Sequence, residues 1–209
     1  MNTSILSCKN LSYTIGYKKI FKNISFEIFA SDFTLLTGEN GSGKTSLLKL
    51  ILQSSRKKEF SWEKNLLADK EQNLISYLGH ENGLYSSLSL RENLTFFNRI
   101  LKHPMPESRM NTLLDLFHLT KRLEDPVSTF SEGMKKKTGI IRALLARPAL
   151  LLLDEPLNGL DVESTQAFLK VLNTEFADTS ILLVAHEIDK ISPFVKRRLH
   201  IYKGELNHV

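Results

Sequence analysis

A single cysteine, Cys8, stands among 209 residues. That excludes an internal disulfide and any multi-cysteine metal site, and it fits a reducing compartment. Long hydrophobic runs are missing too. No stretch reaches the roughly 18 uncharged apolar residues of a membrane span, and the richest candidate, Ala143 to Leu153, is broken by Arg147 and Pro148. Met1 to Asn10 lacks a basic segment followed by a long apolar one, so no signal peptide is expected. Repeats, low-complexity tracts and long linkers are absent. The formal charge is only +5, with basic clusters at Arg56-Lys57-Lys58, Lys135-Lys136-Lys137 and Lys196-Arg197-Arg198. None is interleaved with aromatic residues, as single-strand readers require. They are therefore expected to form solvated or membrane-proximal faces, with no nucleic acid as partner.

What is present is an ordinary globular composition, 42% apolar and 24% charged. The length suits one domain over residues 1–209 with a substantial core. Ile24, Phe26 and Ile28 fall at period two, and Phe33 to Thr37 is a short apolar strand running into glycines. Lys44 to Leu52 then reads as a helix with Leu47, Leu48 and Ile51 on one face. Ser89 and Glu92 make a capping box, followed by Leu90, Leu94, Phe97 and Leu101 at helical spacing, with Pro104 and Pro106 expected to end that helix. Met110, Leu113, Leu114 and Phe117 mark another helix, and Ser131 can cap a third that runs to about Arg147. This helical block, roughly residues 82–147, is expected as an insertion between strands. The last third alternates a strand at Leu150 to Leu153, a helix from about Val162 to Phe176 and a strand at Ile181 to Ala185. Continuous apolar runs separated by helices imply a parallel sheet covered on both faces. Lys203-Gly204 reads as a closing hairpin turn.

Three motifs carry chemistry. Gly38, Glu39, Asn40, Gly41, Ser42, Gly43, Lys44 and Thr45, with Ser46 next, form a glycine-rich loop between a strand and a helix. Its backbone N–H groups can wrap a phosphate at the helix N-terminus, Lys44 can reach the outer phosphates, and the Thr45 hydroxyl can ligate Mg²⁺. Asp154 ends a buried leucine strand, which is how a metal-organising carboxylate reaches a parallel sheet edge. Glu155, beside it, suits a general base that polarises water. His186 follows another core strand. Ser131, Glu132, Gly133 and Met134 open a helix, and the residues alone permit either an anion site or an ordinary cap.

The order of these strings, continued through Lys137, Arg142-Ala143-Leu144, Pro148 and Asn158-Gly159-Leu160-Asp161, resembles the ABC (ATP-binding cassette) ATPases over essentially the whole chain. The resemblance implies a P-loop NTPase fold of α/β class: a mainly parallel sheet flanked by helices, with an antiparallel β subdomain and an inserted helical subdomain. It implies ATP and Mg²⁺ as cofactors and a catalytic set of Lys44, Glu155 and His186, the last contacting the γ-phosphate. Thr45 and Asp154 would hold the metal, and Ser131 to Met134 would complete the site of a second copy in a head-to-tail dimer, with Asp161 in a dimer-contacting loop. It further implies a separate membrane permease, at the cytoplasmic face of the cell membrane.

Three positions depart from the family pattern. Glu132 replaces a glycine, His80 with Glu81 stands where a coupling glutamine is usual, and Ile15 stands where an aromatic stacks on adenine. Either Tyr13 or Tyr17 substitutes, or adenine is held by apolar contact alone. Residues 77–97, with Trp62 upstream, resemble the ATP-binding subunits of haem exporters in cytochrome c maturation. Phe130 to Lys137 and the Asn158 to Asp161 loop also resemble ATPases of drug, lipid or polysaccharide exporters. Family members that act on ribosomes or DNA generally carry two cassettes or long coiled-coil insertions, and neither is present. Leu84, Tyr85 and Leu88 are candidates for the permease-docking surface.

Overall fold

The computed structural model describes residues 3–68, 73–185 and 188–208. The chain opens with β1 (Ser4–Ile15) and β2 (Lys18–Phe29), and β3 (Phe33–Gly38) then runs into α1 (Lys44–Leu52). A short β4 (Phe60–Trp62), α2 (Lys64–Ala68) and β5 (Asn73–Leu78) follow. Three helices come next: α3 (Leu90–Arg99), α4 (Glu107–Leu116) and α5 (Glu132–Leu145). The last third alternates β6 (Pro148–Asp154), α6 (Val162–Glu175), β7 (Ser180–Val184) and a single turn, α7 (Ile188–Ile191), before β8 (Arg197–Tyr202) and β9 (Glu205–His208).

β2, β1 and β4 form an antiparallel sheet. The main sheet runs β5-β6-β7-β3-β8-β9, parallel except for β9. Strand alternation explains how one sheet organises two cores. Leu150 and Leu152 face a cluster with Phe21, Ile24, Phe26 and Ile28 of β2 and Leu47, Leu48 and Ile51 of α1. Leu151 and Leu153 face the opposite cluster, built with Leu113, Ile140, Leu144 and Phe168 of the helices. All four leucines of β6 are fully buried, each worth about 1.5–3 kcal/mol of transfer free energy. A strand apolar on both faces has no solvent side, which is why β6 lies inside the sheet. The expected fold class is therefore the observed one: a mainly parallel sheet covered by helices, an antiparallel sheet on one side, and a helical block between the adjacent strands β5 and β6.

Local signals act where expected. Ser89 accepts from the Glu92 N–H at 3.2 Å while the Glu92 carboxylate accepts from the Ser89 N–H at 2.8 Å, completing the capping box of α3. Lys203 and Gly204 take φ of +49° and +83° in the β8–β9 turn, a pair of left-handed residues whose twist matches the flanking strands.

Two expectations need correcting. α3 stops at Arg99, before Leu101 and well ahead of Pro104. The Asn98 amide is the reason: it donates to Met105 O at 2.8 Å and accepts from Met105 N–H at 2.7 Å, drawing the loop back onto the helix. Pro106 instead precedes α4 as its N-cap. The first basic cluster is solvated as expected, with Arg56 and Lys58 exposed, but the other two differ in part. Lys135 pairs with Glu132, Lys136 is buried, and Lys137 pairs with Asp161 at 2.7 Å. Arg197 pairs with buried Asp32 and lies over the Phe29 ring at 3.9 Å. Successive residues of a helix point about 100° apart, so a run of three lysines need not share one surface.

Candidate nucleotide site

The phosphate loop is shaped by contact with strands on both sides. A Cβ on Gly38 would lie 2.6 Å from Ile201 O, and one on Gly43 would lie 2.6 Å from Ile20 Cγ2 and 2.9 Å from the Phe21 ring. Both glycines have positive φ, +147° and +108°, so only glycine lets the loop fold this tightly. Gly43 is also the N-cap of α1 and makes no side-chain capping bond. The first-turn N–H groups of α1 thus have no side-chain acceptor from the cap position and suit an anion, reinforced by the helix dipole. Lys44 is buried, its ammonium donating to Gly38 O at 2.8 Å and Glu39 O at 3.0 Å. Ser42 Oγ is buried without a hydrogen-bond partner.

Beside this loop opens a cavity of about 400 Å³ lined by Lys18, Lys19, Glu39, Asn40, Tyr202 and Lys203, among others. Neither tyrosine considered for adenine lines it: Tyr13 stacks on Phe21 and Tyr17 is fully exposed. Tyr202 is the aromatic that does, and sequence reasoning passed over it. It arrives because β8 pairs with β3, placing Ile201 beside Gly38, a long-range pairing that no local pattern announces.

Across the loop, β6 delivers Asp154. The Thr45 hydroxyl lies beside its carboxylate, while Asp154 Oδ2 is buried with no partner. Burial raises the Asp154 pKa, opposed by the Thr45 hydroxyl and by the cations Lys136 and Lys44, with Glu155 adding to the rise. An orphaned buried carboxylate oxygen is costly, of order 1–3 kcal/mol or more. A divalent cation coordinated by one carboxylate, one hydroxyl, phosphates and water would relieve it. The residues present therefore fit Mg²⁺ with a bound polyphosphate.

Glu155 takes φ of +50°, a left-handed conformation that a glutamate adopts at some energetic cost and that clusters at functional sites. Its N–H donates to Val184 O at 3.0 Å, and its carboxylate accepts from the Asn158 amide. Lys136, from α5, lies within electrostatic reach of both Asp154 and Glu155; burial lowers its pKa and the two carboxylates oppose that. Tyr77 sits nearby, its hydroxyl pushed up to about 12 by burial and then by Asp154 and Glu81.

The other expected site residues lie outside this constellation. Ser131 Oγ accepts from Met134 N–H at 3.2 Å as the N-cap of α5. The Glu132 side chain points outward and pairs with Lys135 at 2.9 Å. A Cβ on Gly133 would lie 3.3 Å from Gly159 O, so the start of α5 packs on the loop carrying Asp161. Asp161 in turn caps α6, accepting from Ser164 N–H at 2.7 Å. No hydrogen bond or ion pair links Ser131 to Met134 with the phosphate loop among the described residues. His80 and Glu81 are exposed just past β5. His186 lies outside the described residues.

The chain matches the ABC transporter family over residues 21–158. It is 32% identical to the uncharacterised ABC transporter ATP-binding protein YdbJ of Bacillus subtilis, over 99% of this chain and 69% of that one. It is 31% identical to the cytochrome c biogenesis ATP-binding export protein CcmA of Haemophilus influenzae, over 96% of this chain and 97% of that one. Among solved structures, an ATP-binding subunit of an ABC transporter superposes with a TM-score of 0.82 at 26% identity, covering 99% of this chain and 90% of that one. The chain therefore belongs to the ABC transporter family as an ATP-binding subunit, and it is an ATPase. No helix among the described residues is long and apolar enough to cross a membrane.

Proposed function

We propose that this subunit powers export through a separate membrane permease, with haem for cytochrome c biogenesis as the cargo. The observation that carries the ATPase chemistry is the meeting of Lys44, Thr45 and a half-satisfied Asp154 at the ends of β3 and β6. The cargo reading rests on the 77–97 segment and on relatedness: CcmA is matched over 97% of its length and YdbJ over 69%.

ATP, when bound, supplies the phosphoanhydride that water cleaves, and Mg²⁺ offsets the charge on the phosphate oxygens. N–H groups of Gly41 to Thr45 bind and orient the phosphates, and Lys44 exchanges its two carbonyl partners for phosphate oxygens. Thr45 and Asp154 would hold the cation. Glu155, fixed by its strained backbone and by Asn158, takes a proton from the attacking water. Ser131 and Gly133 offer a hydroxyl and helix N-terminal N–H groups to the nucleotide of a second copy, with Asp161 at the contact and His186 approaching the γ-phosphate. His80 and Glu81 face the permease side, together with the Tyr85–Phe96–Phe97 ring cluster, whose centroids lie 5.2–5.8 Å apart. We read residues 1–209 as one domain with a helical subdomain over about 82–147, working at the cytoplasmic face of the cell membrane.

The similarity of Phe130 to Lys137 to drug, lipid and polysaccharide exporters, together with 29% identity to the linearmycin resistance ATP-binding protein LnrL of Bacillus subtilis, supports a second reading in which the cargo is one of those. Purification of the tagged chain from native membranes, with identification of its membrane partner, separates the two. A haem-handling membrane subunit is expected; a polysaccharide or drug permease ends the haem reading.

A further inference from the structure

We propose that Arg142 is a positioning residue that binds the His80–Glu81 segment to α5, the helix capped by Ser131. The inference rests on the reading above that both belong to one nucleotide cycle.

Arg142 reaches from α5 to the end of β5, where its guanidinium takes two carbonyls on either side of the segment. Nη2 donates to Tyr77 O at 2.9 Å and Nε donates to Asn82 O at 3.0 Å. The Phe97 ring of α3 lies 5.3 Å from the guanidinium carbon, adding a cation–π contact. The fork thus brackets residues 78–81 from both ends. His80 and Glu81 are themselves exposed, so their own side chains do little to fix the loop. Neighbouring residues are shaped for the same seam. A Cβ on Gly139 would come within 2.7 Å of Asn82 Oδ1, and Ser76 Oγ donates to Ala143 O at 2.8 Å.

A part-buried guanidinium whose hydrogen-bond acceptors are backbone carbonyls is an expensive way to pack a helix. A methionine would fill the volume at less cost. What the fork supplies is directional hold on two diverging acceptors, which a lysine point charge cannot reproduce. Movement of α5 is thereby transmitted to the loop after β5, and the reverse.

The test compares wild type with Arg142→Lys and Arg142→Ala in purified protein, with three measurements: Mg-ATP hydrolysis, binding of a fluorescent ATP analogue, and amide hydrogen exchange by mass spectrometry. For Arg142→Lys we expect binding within about twofold of wild type and kcat lower by about tenfold or more, as for a displaced positioning group. Exchange should accelerate at residues 79–83 and stay unchanged at 33–45. Millimolar guanidinium should restore part of the kcat lost by Arg142→Ala. Wild-type kcat with wild-type exchange in Arg142→Lys overturns the proposal. So does loss of binding in step with kcat, which would mark a general packing role. If Arg142→Ala does not fold, the exchange pattern of Arg142→Lys decides alone. Failure of wild type to hydrolyse ATP would instead overturn the underlying reading, leaving the exchange result to stand by itself.

Discussion

Two cations, buried Lys44 and part-buried Arg142, are both held by backbone carbonyls, yet they do opposite work. The Lys44 ammonium bonds Gly38 O and Glu39 O, only six and five residues upstream across its own loop. Arg142 bonds Tyr77 O and Asn82 O, 65 and 60 residues away in sequence. A single charge on a flexible stem, satisfied only by weak neutral acceptors, can be taken over by an anionic ligand. A planar fork locked between two strands of chain and stacked on Phe97 has no such freedom. The phosphate loop is thus built to change partners, and the β5–α5 seam is built to keep them.

That contrast can be broken in several places. The largest effect is expected at the exchangeable end: Glu155→Gln should lower the phosphate-release rate by about 10²–10⁴-fold while nucleotide titration shows affinity retained. Loss of both together would remove Glu155 from the role of base. Next, Lys44→Met should weaken nucleotide binding by roughly 10–100-fold, the worth of a charge-assisted hydrogen bond. Its melting temperature without nucleotide should fall only slightly, because Lys44 bonds neutral carbonyls and Lys136 remains as the larger counter-charge to Asp154. A steep drop in melting temperature would make Lys44 a structural staple like Arg142 and erase the comparison.

Smaller effects sharpen the picture of the helical block. Ser89→Ala removes one half of the α3 capping box and should lower unfolding free energy in urea by about 1 kcal/mol, with phosphate release unaltered. Asp161 is the smallest. Its carboxyl is held below the ordinary 3.8 by Lys137 and the Ser164 N–H. A depressed folded pKa contributes stability present above the unfolded value and lost as pH falls below it. Wild type should therefore lose slightly more stability than Asp161→Asn between about pH 5 and pH 3. The difference should stay under about 1 kcal/mol, because the carboxylate is half exposed and screened. Equal acid profiles would mean the ion pair contributes nothing.

The same contrast explains what was legible in the sequence. The phosphate loop, the leucine strand ending in Asp154, the Ser89 and Ser131 caps and the Lys203-Gly204 turn are local devices. Each follows from residues within a few positions of one another. Tyr202, Lys136 and Arg142 were not legible, because their roles depend on which strand or helix lies opposite. Periodicity shows that α5 has a buried face; it does not show that Lys136 on that face looks toward Asp154 and Glu155. The early end of α3 was hidden for the same reason, since Asn98 turns the chain by reaching Met105 across a loop.

The two-copy site is the centre of the account, and light scattering on Glu155→Gln tests it most directly. With saturating Mg²⁺ and ATP the variant should run at twice the mass it shows without nucleotide, and adding Ser131→Arg to it should abolish the shift. A monomer mass under those conditions, alone and together with its permease, would contradict it.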